Sequence, residues 1–159
     1  MIAPKSISNG HPAVILATWF WSGLSPKAPG TMGSLAALPF GYLLYYFGGQ
    51  LLLLEGIIVV FMVGLWSTHI YLTRSGKSDP GEVVIDEVAG QWLPLLVAGS
   101  DPLLYLLSFA LFRLFDIWKP FPISWLDKNV KGAFGVMIDD ILAGLIALGV
   151  LIIIIEVLP

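Results

Sequence analysis

Ser78-Asp79-Pro80-Gly81-Glu82-Val83-Val84-Ile85-Asp86-Glu87-Val88-Ala89-Gly90-Gln91-Trp92-Leu93-Pro94-Leu95-Leu96-Val97-Ala98 is the stretch on which the architecture turns. It opens with four carboxylates in nine positions, Asp79 to Glu87, then runs on as a short apolar segment containing Pro94. Acids are expensive beside hydrocarbon, so such a cluster in a greasy chain marks a functional site. The chain is greasy: 57% of its 159 residues are hydrophobic and 12% are charged. A soluble domain has about 45–50% and about 25%. This is a membrane composition, and the length allows a single embedded domain over residues 1–159.

A spanning helix needs roughly 20 apolar residues, fewer when its neighbours shield it. Leu51–Leu72 and Ile138–Leu158 meet that requirement, and Thr31–Phe47 and Pro102–Trp118 are shorter but apolar. Asp86–Ala98 is short and begins with charges, so it reads as a half-polar span shielded by the others. Ala13–Leu24 reads as an interfacial helix, since Trp19, Phe20 and Trp21 suit the headgroup level. Turns at Pro29-Gly30, Gly48-Gly49, Ser75–Gly81, Gly99–Pro102 and Pro120–Pro122 separate the pieces. The expected fold is therefore an all-α integral membrane bundle of four to five spans plus an N-terminal interfacial helix.

Keeping Asp86–Ala98 as a span has a consequence for charge. With five spans, Lys5, Lys27, Arg74, Lys77, Arg113, Lys119, Lys128 and Lys131 all fall on or near one side, which the positive-inside rule makes cytoplasmic. Without it the bases divide between both faces. Asp79, Glu82, Asp86, Glu87, Asp116, Asp127, Asp139 and Asp140 map to the same inner ends, so three distant acidic stretches converge on one surface.

Composition also excludes classes of function. The bases form no nucleic-acid-tracking patch, and the net charge of −3 specifies no partner. No cysteine is present, which removes thiolate nucleophiles, disulfides and Cys-based zinc sites. The first thirty residues lack the pattern of a cleavable signal. His11 and His69 have no metal-ligand spacing to a second histidine. Monomer and homo-oligomer both remain open.

Four constellations carry chemistry, each with a plainer structural reading. Asp79-Pro80-Gly81-Glu82 has the form of a helix start, with Asp79 as cap and Glu82 completing a capping box. On that helix Glu82 and Asp86, four apart, share a face that continues to Ala89 and Gly90, while Glu87 points elsewhere. Two acids facing a packing surface call for a hard cation with oxygen ligands, Mg²⁺ beside phosphates; solvated acids at the membrane boundary are the alternative. Asp139-Asp140 opens the last span, where a macrodipole accounts for one acid but not two. Arg113, Asp116 and Lys119 recur at steps of three, either as an ion-paired helix end or as a phosphate grip joined to a metal site. Ser25–Ser34 is a Pro/Gly-stiffened loop feeding a helix, where backbone N–H groups, Lys27 and Thr31 suit a phosphate; it lacks the P-loop order.

Together these blocks resemble the bacterial phosphatidylglycerophosphatase A family. The matching residues are Pro26-Lys27-Ala28-Pro29-Gly30-Thr31-x-Gly33-Ser34, then Asp79-Pro80-x-Glu82-x-Val84-Ile85-Asp86-Glu87-x-x-Gly90. Arg113-x-Phe115-Asp116-x-x-Lys119-Pro120 and Gly135-Val136-Met137-Ile138-Asp139-Asp140-Ile141-Leu142-Ala143-Gly144 follow, in family order. One departure is Gly132-Ala133-Phe134, where the family usually has paired glycines. The resemblance implies an inner-membrane, Mg²⁺-dependent phosphatase converting phosphatidylglycerophosphate to phosphatidylglycerol on the cytoplasmic side. On this reading Glu82, Asp86, Asp139 and Asp140 bind the metal, and Lys27, Thr31, Arg113 and Lys119 hold phosphate. Asp79, Glu87 or Asp116 is the base. The rival is a divalent-cation transporter or channel using the same carboxylates, although transporter sites sit near the midplane between broken helices and often accompany repeats, and no repeat is visible.

Overall fold

The computed structural model describes residues 7–157; Lys5 and Leu158, which entered the inner-face charge and the last span above, lie outside the described residues. Among the described residues the chain is all helix, with no strand. Its elements are α1 (Pro12–Ala17), a 3₁₀ turn (Ser22–Leu24), α2 (Pro29–Ser75), α3 (Ile85–Ala98), α4 (Pro102–Trp118), α5 (Ile123–Asn129) and α6 (Gly132–Val157). Two of these, α2 and α6, are long and apolar enough to cross a membrane.

The 47-residue α2 is not one rod. Gly49 sits at φ 62, ψ −155, a region open essentially to glycine. The chain reverses there, because a Cβ on Gly56 would lie 2.6 Å from Leu44. A continuous helix would hold those two residues about 18 Å apart along its axis. The Gly48-Gly49 turn read from the sequence is thus present, and α2 is a hairpin of arms 29–48 and 50–75.

Both arms wrap α3, whose buried residues include Ile85, Val88, Ala89, Trp92, Leu93 and Leu95. Trp92 fills the gap and donates its indole N–H to the Ala37 carbonyl at 2.8 Å, satisfying the polar edge of a large buried ring. On the other side α3 meets α6 through glycines. A Cβ on Gly90 would approach the Asp140 carbonyl oxygen to 2.6 Å, and one on Gly144 would overlap the Gly90 carbonyl. Small residues bring the two backbones together, and this close approach places the acidic start of α3 against Asp139-Asp140.

Several local expectations change. Asp79–Glu82 does not start a helix: Val83 N donates to Pro80 O in a turn, and α3 begins only at Ile85 with no side-chain cap. The stripe argument joining Glu82 to Asp86 therefore fails. Asp139-Asp140 lies two turns inside α6 rather than at its opening, so the macrodipole is not what holds the pair. Ala13–Leu24 is not one helix. The Thr18 hydroxyl donates to Val14 O and accepts from Trp21 N, and Trp19, Phe20 and Trp21 follow in left-handed conformations. Trp19 then turns inward against Phe40 and Trp92, leaving Phe20 and Trp21 exposed. Finally, Ile123–Asn129, which follows the turn at Pro120–Pro122, forms the short helix α5, an element the sequence reading does not include.

Candidate active site

A cavity of about 360 Å³ opens between the 78–83 turn, the first turn of α3, the C-terminal end of α4 and the α5–α6 corner. Its back wall is acidic. Asp86, Glu87 and Asp140 each bring a carboxylate oxygen to within 4.8 Å of the others. The fold achieves this because Asp86 and Glu87 head α3 while the Gly90–Gly144 contact sets α6 against it. The Asp86 Oδ1 also accepts the Glu87 backbone N–H at 3.0 Å, which helps orient the side chain.

A second layer of charge surrounds that triad. Arg113 is ion-paired with Asp116 at 2.5 Å, lies 3.9 Å from Glu87 and donates to the Ser34 hydroxyl at 3.3 Å. Gly30 makes room for this: a Cβ there would run into Glu87 Oε1 and come within 3.2 Å of the guanidinium. Lys119, left-handed at the C-cap of α4, does not continue the helical face of Arg113 and Asp116. It instead reaches Asp127 of α5 and Asp139 of α6, both at 2.6 Å. Burial works against its charge, but these two carboxylates and Asp140 outweigh that and hold the ammonium above its ordinary range.

The acids still outnumber the bases. Asp79, Asp86, Glu87, Asp116, Asp127, Asp139 and Asp140 line the cavity, against Lys119, Lys128 and Lys131. Two carboxylate oxygens, Glu87 Oε2 and Asp139 Oδ1, are buried without a hydrogen-bond partner. Buried anions that repel and lack partners are costly, and a hard divalent cation with oxygen ligands removes that cost. Asp86, Glu87 and Asp140 have the donor chemistry and convergence for such an ion, with Asp139 beside them.

The candidates drawn from sequence separate accordingly. Asp86, Glu87, Asp116, Lys119, Asp139 and Asp140 come together at the cavity, Asp79 stands exposed on its rim, and Arg113 backs it. Glu82 does not join them: it is buried in an ion pair with Lys77 at 2.7 Å. Glu87, expected to point elsewhere, occupies the place in the cluster that the stripe argument assigned to Glu82. Lys27 is exposed, Thr31 half-buried, and neither lines the cavity. That loop contributes Gly30 and Ser34 instead. Asp127 and Ser34 had no assigned role in sequence; Asp127 stands in no helical register with the other acids, and only the α5 fold brings it to Lys119.

The phosphatidylglycerophosphatase A family model matches residues 15–155. The chain is 41% identical over 151 residues to phosphatidylglycerophosphatase A of Escherichia coli strain K12, covering 94% of this chain and 87% of the relative. It is 40% identical over 144 residues to the phosphatidylglycerophosphatase A of Haemophilus influenzae, covering 90% and 88%. A Bacteroides thetaiotaomicron protein provisionally named a phosphatidylinositol-3-phosphatase is 41% identical over 138 residues, covering 82% and 86%. No solved structure gives a significant match. With the matched region taking in every acid of the cavity, this chain belongs to the phosphatidylglycerophosphatase A family.

Proposed function

We propose that this protein is an integral membrane, Mg²⁺-dependent phosphoric monoester hydrolase that releases the terminal phosphate of phosphatidylglycerophosphate, giving phosphatidylglycerol. The observation that carries the reading is the convergence of Asp86, Glu87 and Asp140 within 4.8 Å in a cavity with excess negative charge. A phosphate monoester is itself an anion and enters such a cavity only with a cation present. Family membership supports the reaction class and lends no support to the cation-transporter reading.

In this reading the two arms of α2 together with α3, α4 and α6 make five spans, with the cavity on the cytoplasmic side of the inner membrane. Wide exposed apolar faces support it, among them Phe47, Leu51, Ile58, Met62, Leu106 and Ile153. Asp86, Glu87 and Asp140 would hold Mg²⁺, with Asp139 beside them and next to Lys119. When bound, the ion polarises the phosphoryl group and acidifies a water. Arg113, braced by Asp116 and Ser34, and Lys119, braced by Asp127, donate to phosphate oxygens as charge shifts in the transition state. Asp79, exposed at the rim, would accept the proton of the attacking water, because Glu87 would be taken up by the metal and Asp116 is paired with Arg113. Lys27 and Thr31 act at most on the headgroup's approach.

The test is phosphate release from phosphatidylglycerophosphate in detergent, with and without Mg²⁺, for wild type and Asp86→Asn. Release that needs the metal and disappears in the folded variant supports the proposal. No release with any divalent ion sinks it.

A further inference from the structure

The carboxylate cavity does not end at its acids. Along α6 it is lined from Asp140 out to Gly132, eight residues or about 12 Å of helix. Its outer end is basic. Lys128, in the last turn of α5, and Lys131, just before α6, both line it and are exposed. Among the described residues neither is paired with a carboxylate, whereas Arg113 and Lys119 further in both are. Asp127 stands between the inner and outer cations: its carboxylate holds the Lys119 ammonium at 2.6 Å, and its carbonyl accepts from Lys131 Nζ at 3.2 Å. The two ammonium groups are thus a single residue apart. Trp118 and Trp125, before and within the α5 segment, are exposed, and exposed tryptophan marks the headgroup level of a membrane protein. The outer lysines therefore lie at the depth where a lipid carries its phosphodiester.

We infer that Lys128 and Lys131 form a second anion subsite at the mouth of this cavity, which takes the internal phosphodiester of the lipid while its terminal phosphate lies between Arg113 and Lys119. This rests on the lipid-phosphatase reading above and adds what selects the lipid. Phosphatidylglycerophosphate carries both groups, joined through a glycerol. Six single bonds separate the two phosphorus atoms, as many as two extended residues contain, a reach of about 7 Å. That suits two ammonium groups separated by one aspartate. The plainer reading is that the lysines merely obey the positive-inside rule. It accounts for the side of the membrane on which they lie, but not for both lining the one cavity.

The experiment compares kcat/KM, in neutral detergent with Mg²⁺, for phosphatidylglycerophosphate and an analogue whose internal phosphate is methylated to an uncharged triester. The reacting end is the same in both, so the ratio cancels any general loss of activity. Wild type is expected to prefer the charged diester about fivefold or more, the worth of two exposed ion pairs. The double variant Lys128→Met, Lys131→Met should bring the ratio near one by losing rate on the charged lipid alone. No preference in wild type, or a preference that survives in the variant, overturns the inference. An equal fall on both lipids leaves the ratio unchanged and overturns it too. Wild type inactive on both lipids instead overturns the phosphatase reading. Should the double variant fail to fold, Lys128→Met alone removes no hydrogen bond among the described residues, and its ratio is read in the same way.

Discussion

Asp140→Asn separates two effects that usually run together. In the absence of metal, Asp86, Glu87 and Asp140 confront one another within 4.8 Å. At an effective dielectric near 20, two unit charges at that distance repel by about 3 kcal/mol. Arg113 offsets little of this, since it lies 3.9 Å from Glu87 and is bound more closely to Asp116. Asparagine keeps the shape and removes one charge, so the variant should melt at or above the wild-type temperature in EDTA. Saturating Mg²⁺ should then raise only the wild type: at a hundred times Kd, binding to the folded state contributes about 2.7 kcal/mol, or about 5–10 °C on the scale of domains this size. Activity should fall by about a hundredfold or more, as when a single transition-state charge contact is lost. The assay is thermal denaturation in detergent, with chelator and with Mg²⁺, alongside phosphate release. A variant that melts well below wild type in EDTA yet keeps the Mg²⁺ shift would show that Asp140 is structural, and the cluster reasoning would be refuted.

Other outcomes follow from the same geometry. Glu87→Gln should abolish the Mg²⁺-induced stabilisation while Glu82→Gln retains it, because Glu82 is occupied with Lys77 outside the cluster; the reverse pattern in the same melting assay would return the metal to the sequence assignment. Lys119→Ala leaves Asp139, with a side chain only 7% exposed, facing the other acids without its cation. It should cost about 1–3 kcal/mol, measured as a lower melting temperature, together with activity. Gly144→Val places a side chain against the Gly90 carbonyl and should push α3 from α6, costing about 1–3 kcal/mol and most of the activity. Retained activity in that variant would mean that the glycine contact does not set the carboxylate spacing.

Much of this was legible from the chain, for reasons that can be traced. Apolar runs bounded by glycine and proline locate the long helices because a stretch that long and that apolar satisfies its backbone groups most readily within a helix. Gly48-Gly49 marks the reversal inside α2 because φ 62 with ψ −155 excludes a side chain at Gly49. The Arg113–Asp116 pair is local, three residues apart on one helix, and spacing alone predicts it. The errors are of the opposite kind. Asp79–Glu82 has every mark of a capping box, yet a turn closed by Val83 onto Pro80 delays the helix to Ile85. Five residues of delay, from a cap at Asp79 to one at Val84, take Glu82 off the helix and leave Asp86 and Glu87 in its first turn. Asp139-Asp140 reads as a helix start because two adjacent acids interrupt the apolar pattern, yet Gly132 to Met137 before them are already helical.

The chain alone establishes the class of the molecule: helical, apolar enough for a membrane, and without thiol chemistry. Composition and local pattern settle such questions because they depend on the solvent each residue tolerates and on neighbours within a turn or two. Which acids meet is settled by packing. Glu87 rather than Glu82 faces Asp86 and Asp140, Asp127 rather than a nearer acid shares Lys119 with Asp139, and Gly30 rather than Thr31 abuts the site. Each of these depends on how closely two backbones approach and where a helix begins. Those are set by the packing of Gly90 on Gly144 and of Trp92 between the arms of α2, contacts between residues dozens of positions apart.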